Sequence, residues 1–280
     1  MNRSRSLVPQ VVPIAQPEYK SKQSRYPSLP EAGITNGLLV APSFTGKTTW
    51  LSSWILDWFR GAYARVYIFS PNAFTPEWQP VRDYIERDLG VDLDEEPCLF
   101  ETLDEEKLSE IVATQRKVIA HQKRQKHHTM HAICLVIDDL ASEPKFHRNY
   151  GPLSECFTRN RHFFVQTLLS SQKFKLISPT ARVNAHWIVC FKLRNRMDLD
   201  ALLSELTAIY PYETLLAMYE EAVNDQPYSF LFINMKAPKE RMFSIRFDEI
   251  LQPQGKEDED DGSAPVPTGG QAAGGPAPVR

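Results

Sequence analysis

The sequence predicts an α/β fold, in which a largely parallel sheet is covered by helices on both faces. Segments typical of strands alternate along the chain with segments whose apolar residues recur at helical spacing. The strand segments are almost continuously apolar. Strands of this kind are buried on both faces, which requires helices on both sides of the sheet.

The predicted elements follow one another through the middle of the chain. Strands are expected at 37–40, 65–69, 132–137, 163–169, 186–191, 228–233 and 242–247. Helices are expected at 48–60, 81–89, 103–126, 153–160, 197–209 and 212–223. The last two strands are close in sequence, and they predict an antiparallel edge to the sheet.

Composition and charge exclude several classes of protein. A chain of 280 residues with 42% hydrophobic and 24% charged residues is not disordered throughout. A net charge of -3 excludes a uniformly basic nucleic-acid coat, although a local basic surface stays possible. The four cysteines are far apart and predict buried thiols rather than a metal or redox pair. No apolar run is long enough to predict a membrane span, so an intracellular protein is expected.

Composition also divides the chain into three parts. Residues 1–30 carry five basic residues against one acidic residue and predict a flexible basic arm. Residues 31–251 predict one compact domain. Residues 252–280 contain the acidic run 257–261 followed by a Pro/Gly/Ala-rich stretch, and they predict a disordered tail.

The first motif, APSFTGKTT, lies between the first predicted strand and the first predicted helix, as a phosphate-binding loop does. Gly46 allows the backbone to curl around a phosphate, Lys47 reaches the β- and γ-phosphates of a nucleotide, and Thr48 offers its hydroxyl to Mg²⁺. Ala41 replaces the first glycine of the usual pattern. The predicted nucleotide-binding residues are Ala41, Pro42, Ser43, Phe44, Thr45, Gly46, Lys47, Thr48 and Thr49.

The second motif, ICLVIDDL, places two carboxylates after five apolar residues. At the carboxyl end of a central parallel strand, Asp138 would lie in the crevice beside the phosphate loop. We expect Asp138 to hold Mg²⁺, through water, and Asp139 to orient and polarise the attacking water as a general base. Together, the two motifs predict an NTPase that uses ATP and Mg²⁺.

The third motif, RNRHFFVQTLLSSQ, predicts a basic turn, a strand and a glutamine at the end of the strand. Gln172 would face the γ-phosphate and could sense hydrolysis. Arg159 and Arg161 precede the strand and Arg182 follows it. One of these arginines is expected to complete a neighbouring subunit's site, since a cation there stabilises transition-state charge. A solvated arginine is the alternative for each, and a hydrogen-bonding residue at the strand end is the alternative for Gln172.

The three motifs and the downstream ARVNAHWIVCF together resemble FtsK–HerA-type DNA-pumping ATPases over residues 33–205. Within that family, the sequence is most similar to packaging ATPases of large double-stranded DNA viruses, poxvirus-like and polinton-like. The resemblance implies a P-loop NTPase with a RecA-like core, a homo-oligomeric and often hexameric ring, and translocation of double-stranded DNA into a capsid. It also implies that Gln172 is the sensor and Arg161 the trans-acting finger, with Arg182 as the alternative.

The resemblance leaves the partners and the place of action as expectations. A capsid or vertex protein is a candidate partner, and the site of virus assembly in the host cytoplasm or nucleus, or the virion itself, is the expected location. Lys173 and Lys175 follow Gln172 and are candidates for gripping DNA. The basic stretch 116–128 could also face DNA, although a solvated helix face is the commoner explanation.

Two other functions fit a phosphate loop and stay open at this point. A nucleoside or nucleotide kinase would transfer phosphate to an acceptor, but the sequence offers no clear Arg-rich lid. A non-motor switch would bind a nucleotide and a partner without turnover.

Overall fold

A nine-stranded mixed sheet forms the centre of the structure, a computed structural model that describes residues 18–140, 143–148 and 150–253. The strands are β1 (Lys20–Ser21), β2 (Gly37–Val40), β3 (Tyr63–Phe69), β4 (Leu99–Phe100), β5 (Thr129–Met130), β6 (Ala132–Asp138), β7 (Val165–Ser171), β8 (Trp187–Phe191), β9 (Phe230–Asn234), β10 (Phe243–Ile245) and β11 (Glu249–Ile250). Strands β1 and β5 form a separate two-stranded pair, and the other nine form the main sheet.

The helices connect these strands. They are α1 (Lys47–Ser53), α2 (Gln79–Arg87), α3 (Glu105–Arg124), α4 (Pro152–Phe163), α5 (Pro179–Val183), α6 (Arg196–Glu205) and α7 (Tyr212–Asn224). A π-helical turn, Trp54–Trp58, follows α1 directly. Short 3₁₀ turns lie at Pro76–Trp78, Pro144–His147, Phe174–Leu176 and Lys239–Arg241.

The sheet has the strand order β11-β10-β9-β8-β2-β7-β6-β3-β4. The six strands from β8 to β4 are parallel to one another, and β9, β10 and β11 are added antiparallel at the other side. The predicted α/β class and the antiparallel edge are both confirmed. The edge is longer than predicted because β11 pairs with β10.

The order of the parallel strands places helices on both faces. The chain moves from β2 outward to β3 and β4 through α1 and α2, then returns to β6, β7 and β8 through α3, α4 and α5. Right-handed crossovers that run in opposite directions lie on opposite faces of a sheet. Every residue of β2, β6, β7 and β8 is accordingly buried.

Tryptophans pack the phosphate-loop helix against the sheet. Trp54 stacks on Trp187 of β8, with ring centroids 4.8 Å apart, and Trp50 stacks on Trp54 at 5.2 Å. The Trp187 ring also fills the space over Gly37, where a β-carbon would lie 2.0 Å from the ring. Position 37 therefore requires glycine, and Trp50 of α1 and Trp54 of the π-helical turn after it belong to the core.

The four cysteines are free and buried, as predicted. Burial raises the pKa of the Cys98 and Cys156 thiols to about 12, and it raises the pKa of Cys134 and Cys190 as well. None of them is a ready thiolate nucleophile at neutral pH.

Two local predictions were wrong. The helix expected at 48–60 changes to π-helical hydrogen bonding at Trp54, where bulky tryptophans pack against the core. The basic turn expected at 159–161 is instead the last part of α4, which extends to Phe163. Arg159 and Arg161 therefore lie on a helix end rather than on a loop.

The flexible arm predicted at residues 1–30 is too long. Lys20–Ser21 pairs in parallel with Thr129–Met130, and Ser24 Oγ donates to the carbonyl oxygen of Trp58 at 2.6 Å. Ser21 Oγ donates to the carbonyl oxygen of Ala32 at the same distance. Residues 18–30 are therefore held on the domain. Residues 1–17 and most of the predicted tail, 254–280, lie outside the described residues.

Within the described ranges, no helix is both long enough and apolar enough to cross a membrane.

Candidate active site

The site lies where three neighbouring parallel strands end. In the sheet register, Val40 of β2 is opposite Ser171 of β7, and Asp138 of β6 is opposite Ser170 of β7. The residues that follow these strand ends are Ala41, Asp139 and Gln172, so the three sequence motifs meet at one edge of the sheet. This is the edge at which open parallel sheets bind ligands.

The predicted phosphate loop forms a tight turn between β2 and α1. Ala41 N donates to Ser171 O at 3.0 Å, which fixes the start of the loop to β7. Thr45 Oγ1 donates to Pro42 O at 2.7 Å and closes the turn. Gly46 has φ +85, a left-handed conformation that glycine adopts at little cost, and α1 begins at the next residue. The first backbone amides of a helix that begins in this way can bind an anionic ligand.

Lys47 lies between the two carboxylates of the second motif. Its Nζ is 3.3 Å from Asp138 Oδ1 and 3.3 Å from Asp139 Oδ1, and its side chain is only 10% exposed. Among the described residues, this buried ammonium has no partner in hydrogen-bonding geometry. Buried cationic donors normally have such partners, so the pocket around Lys47 Nζ suits an additional anionic acceptor.

Asp138 is held by hydroxyls from two adjacent strands. Ser170 Oγ donates to Asp138 Oδ1 at 2.6 Å, and Ser70 Oγ donates to Oδ2 at 3.3 Å. The Asp138 side chain is 3% exposed. Together with Lys47, these contacts fix a carboxylate that would be costly to bury alone.

Asp139 is more accessible and is oriented by the third motif. Gln172 Nε2 donates to both Asp139 oxygens, at 2.9 Å to Oδ1 and 2.8 Å to Oδ2. Asp139 has φ +56, an uncommon conformation for a residue other than glycine. The left-handed backbone turns its side chain toward Lys47 and Gln172 instead of along the strand, which is a form of strain often found at functional sites.

The donor set fits Mg²⁺ bound with a nucleotide. One lysine faces two carboxylates, so the cluster carries a net negative charge. A polyphosphate in the adjacent loop would be repelled by this charge. A divalent cation between the two would relieve the repulsion. Thr48 and Asp138 are the residues that would offer such an ion the oxygen ligands that Mg²⁺ prefers. Within the described ranges there is no cluster of three or more His, Cys, Asp or Glu residues arranged to hold a metal.

The candidate finger arginines lie away from this cluster. Arg159 and Arg161 are exposed at the end of α4, next to the start of β7, whereas Gln172 follows the end of the same seven-residue strand. That strand separates them by about 20 Å. Arg161 also helps to lower the pKa of His186 at the start of β8. Neither Arg159 nor Arg161 can serve the phosphate loop of its own chain.

Arg182 already has partners within its own chain. Its guanidinium forms an ion pair with Glu205 at 2.6 Å and lies 5.1 Å from the centroid of the Phe174 ring. Its side chain is 17% exposed. An arginine that is already paired and stacked is less available to a neighbouring subunit than the exposed Arg161.

Sequence reasoning missed three residues at the site. Ser70 and Ser170, which hold Asp138, lie at the carboxyl ends of β3 and β7, and that position was the available signal. Arg194, on the loop after β8, donates from its Nη2 to the Ser43 carbonyl oxygen at 3.3 Å. A pocket of about 180 Å³ opens between this loop and Gln172; its lining also includes Pro42, Lys173, Leu193, Asn195 and Asp198.

Comparison with known proteins gives structural matches only. No protein-family model matches the chain, and no curated protein matches it. The fold, a parallel-dominated sheet covered by helices, is shared with solved structures of NTPases.

Similar solved structures include the genome packaging NTPase B204 from Sulfolobus turreted icosahedral virus 2 in complex with AMPPCP. This match has a TM-score of 0.51 at 15% identity and covers 79% of this chain and 100% of that one. The complex of the same NTPase with ATP-γS gives a TM-score of 0.50 at 15% identity, over 78% and 99% of the two chains.

The DNA-packaging ATPase B204 from Sulfolobus turreted icosahedral virus gives a TM-score of 0.50 at 14% identity, over 75% of this chain and 96% of that one. At such low identity, these matches establish the fold. They confirm the predicted fold class and agree with the family that the sequence motifs resemble.

Proposed function

We propose that this protein is an ATP-hydrolysing motor that translocates double-stranded DNA, and that it packages a viral genome into a capsid. The observation that carries the proposal is the position of Lys47 between Asp138 and Asp139, with Gln172 bonded to Asp139. This arrangement joins a phosphate loop, a metal-holding acid, a candidate base and a candidate sensor at one strand edge.

Nucleotide binding would change the partners of Lys47. A polyphosphate in the loop offers the acceptors that Lys47 Nζ lacks, so the ammonium would turn from the carboxylates to the β- and γ-phosphates. Asp138, still held by Ser170, would then take part in holding Mg²⁺, which when bound neutralises phosphate charge. Asp139 would be left with Gln172 and free to accept a proton from the attacking water.

Gln172 also offers a path from the nucleotide to the rest of the molecule. It is followed directly by Lys173, whose backbone is tied to the strand end because Ser171 Oγ donates to Lys173 O at 2.9 Å. Lys175 N in turn donates to Asp198 Oδ1 on α6 at 3.1 Å. A change at Gln172 would therefore move two exposed lysines and the start of α6.

The position of Arg161 supports a ring arrangement. This arginine is exposed, and within the described part of the chain it has no ion pair, yet it lies at the edge opposite its own phosphate loop. Contact between that edge and the loop edge of another copy would complete the neighbouring site in trans. We propose a homo-oligomeric ring, hexameric as the sequence resemblance implies, acting at the site of virus assembly with a capsid or vertex protein as a further partner.

A candidate DNA surface is built by the pairing of β1 with β5. Lys20 N donates to His128 O at 3.0 Å, so Lys20 and Lys22 are brought beside the basic end of α3. The stretch 116–131 contains no acidic residue. Arg124 and Lys126 are exposed there and have no acidic partner among the described residues. Unpaired cations of this kind suit sequence-independent contacts with phosphates.

The deciding experiment couples sedimentation to an ATPase assay. Purified protein is sedimented with an ATP analogue and duplex DNA, and hydrolysis is measured with and without DNA. A motor forms a larger species with nucleotide and hydrolyses ATP faster when duplex DNA is added. Phosphate transfer to an added nucleoside would support a kinase instead, and tight nucleotide binding without turnover would support a switch.

A further inference from the structure

An exposed aromatic ring lies beside the phosphate loop and takes part in none of the proposed steps. Tyr228 is the second residue before β9, and its ring packs against Gly46. A β-carbon placed on Gly46 would lie 3.3 Å from Tyr228 Cδ1 and 3.8 Å from Cε1. The tyrosine is nevertheless 72% exposed, so most of its ring is open to solvent beside the loop.

The position of Tyr228 follows from the sheet. Because β9 runs antiparallel to β8, the start of β9 lies at the same edge as the ends of β2 and β8. Tyr228 is thereby placed at the edge that carries the phosphate loop, although a long stretch of sequence separates it from Gly46. Nothing in the local sequence around Tyr228 indicates this proximity.

The backbone at Tyr228 is held in an unusual conformation. Tyr228 has φ +63, which for a bulky residue is an outlier, and the turn is closed by Ser229 N donating to Gln226 O at 3.1 Å. Ser229 itself is buried, and its Oγ has no hydrogen-bond partner among the described residues. Strained positions that expose an aromatic ring instead of burying it are candidates for ligand contact.

The chemistry of a nucleotide supplies a ligand for this ring. The phosphates would be held by the amides from Gly46 onward, and the ribose and base extend away from them on the outside of the loop. An exposed tyrosine face beside Gly46 offers a flat apolar surface with little side-chain freedom to lose. Aromatic rings bind bases by stacking, because every base has a π-face.

We propose that Tyr228 stacks on the nucleobase, so that the site selects a nucleoside triphosphate over a bare polyphosphate. The proposal rests on the proposed function, because it requires the phosphates to be bound at Lys47. In this proposal Tyr228 acts in substrate selection and takes no part in the chemical step.

The test compares two ligands on the full chain by calorimetry or competition: a non-hydrolysable ATP analogue and inorganic tripolyphosphate, each with Mg²⁺. Tyr228→Ala should weaken binding of the ATP analogue about 10-fold, as removal of one base stack does, and should change tripolyphosphate binding less than about 2-fold. Tyr228→Phe keeps the ring and should bind both ligands as the wild type does.

Two further variants separate stacking from backbone effects. Tyr228→Asn removes the ring but tolerates a positive φ, so it should reproduce the weakening seen with alanine. Tyr26→Ala removes a partly exposed tyrosine on the segment packed beside the π-helical turn after α1, where Ser24 contacts Trp58, and should change neither affinity.

The outcomes separate this proposal from the proposed function. If Tyr228→Asn weakens the binding of both ligands equally, the tyrosine only supports the loop. If Tyr228→Asn leaves binding of the ATP analogue unchanged, the tyrosine does not touch the base. Either result overturns the stacking proposal. A wild type that binds neither ligand would overturn both the proposed function and the stacking proposal. A wild type that binds the analogue but does not hydrolyse ATP would overturn the motor alone.

Discussion

Gln172 donates from Nε2 to both carboxylate oxygens of Asp139, at 2.9 and 2.8 Å. The two residues follow the ends of adjacent strands, β7 and β6, and are 33 positions apart in the chain. The hydrogen bonds link the candidate base directly to the candidate sensor. In the proposed motor, movement of this pair would carry the state of the γ-phosphate to Lys173 and Lys175.

Lys47→Ala is expected to abolish ATP turnover, because it removes the only cation placed between the two acids in the described structure. Removal of one such electrostatic group lowers kcat by about 10²- to 10³-fold. Steady-state ATP hydrolysis is the measurement, with the thermal unfolding midpoint as the control for folding. Hydrolysis at the wild-type rate would contradict the phosphate-loop assignment.

Gln172→Ala is expected to lower kcat about 10²-fold, the size of effect associated with general-base catalysis, because Asp139 is deprived of the donor that orients it. KM for ATP should change little, since Gln172 does not hold the phosphates in the proposed mechanism. Gln172→Glu has a similar size but places a third carboxylate in the cluster, and it should be at least as slow. A kcat equal to that of the wild type in Gln172→Ala would exclude the sensor role.

Arg161→Ala is expected to behave as a defect in trans. A subunit with Arg161→Ala keeps an intact Lys47–Asp139 cluster. A subunit with Asp139→Asn has an inactive cluster but keeps Arg161. Mixing the two inactive proteins should restore part of the ATP turnover. Arg182→Ala in the same mixing assay is the matched control, because Arg182 is paired with Glu205 and should give no complementation. If mixing restores nothing while rings still form, Arg161 is not the finger.

The basic surface is tested by neutralising two unpaired cations. Arg124→Gln with Lys126→Gln should weaken duplex DNA binding and reduce the slope of log affinity against log salt by about 0.9 for each phosphate that the variant no longer neutralises. Arg87→Gln with Lys107→Gln removes the same charges where each cation has an acidic partner, Asp83 or Glu110, on its own helix. An equal change of slope in both double variants would mean that this surface is not a DNA site.

His186 predicts a pH dependence of stability. Its Nδ1 accepts a hydrogen bond from Asn36 N at 3.0 Å, and its pKa is lowered from the ordinary 6.5 by burial first and then by Lys236 and Arg161. The unfolded chain therefore binds the proton more readily than the folded chain does. The stability contributed by neutral His186 is fully present above pH 6.5 and is lost as pH falls through the lowered pKa.

The measurement is the urea midpoint of the wild type and of His186→Asn between about pH 7.5 and 5.5, on either side of the ordinary histidine pKa. The asparagine Oδ1 can accept the same hydrogen bond without titrating in this range. The wild-type midpoint should fall more steeply than that of the variant as the pH is lowered. Parallel curves would show that His186 does not contribute to the pH dependence.

Most of the fold could be predicted from the sequence because its strands are short apolar runs that alternate with segments of helical spacing. The strands around the site, β2, β6 and β7, were placed to within two residues at each end. The end of α4 could not be predicted, because the residues from Arg159 to His162 are polar and show no local periodicity that separates a helix end from a turn. Burial of Leu153, Cys156, Phe157 and Asn160 along one face fixes the helix.

The sequence by itself determined the chemistry of the site: a glycine, a lysine and hydroxyls in a loop after one strand, two acids after another, and a glutamine after a third. These residues follow strand ends, and the ends of parallel strands meet at one edge whatever the intervening loops do. Only the tertiary structure decided which side chains contact one another. Serines 70 and 170 hold Asp138, Arg161 lies a full strand length from its own site, and Tyr228 reaches Gly46, because strand order and the antiparallel direction of β9 are set by long-range packing.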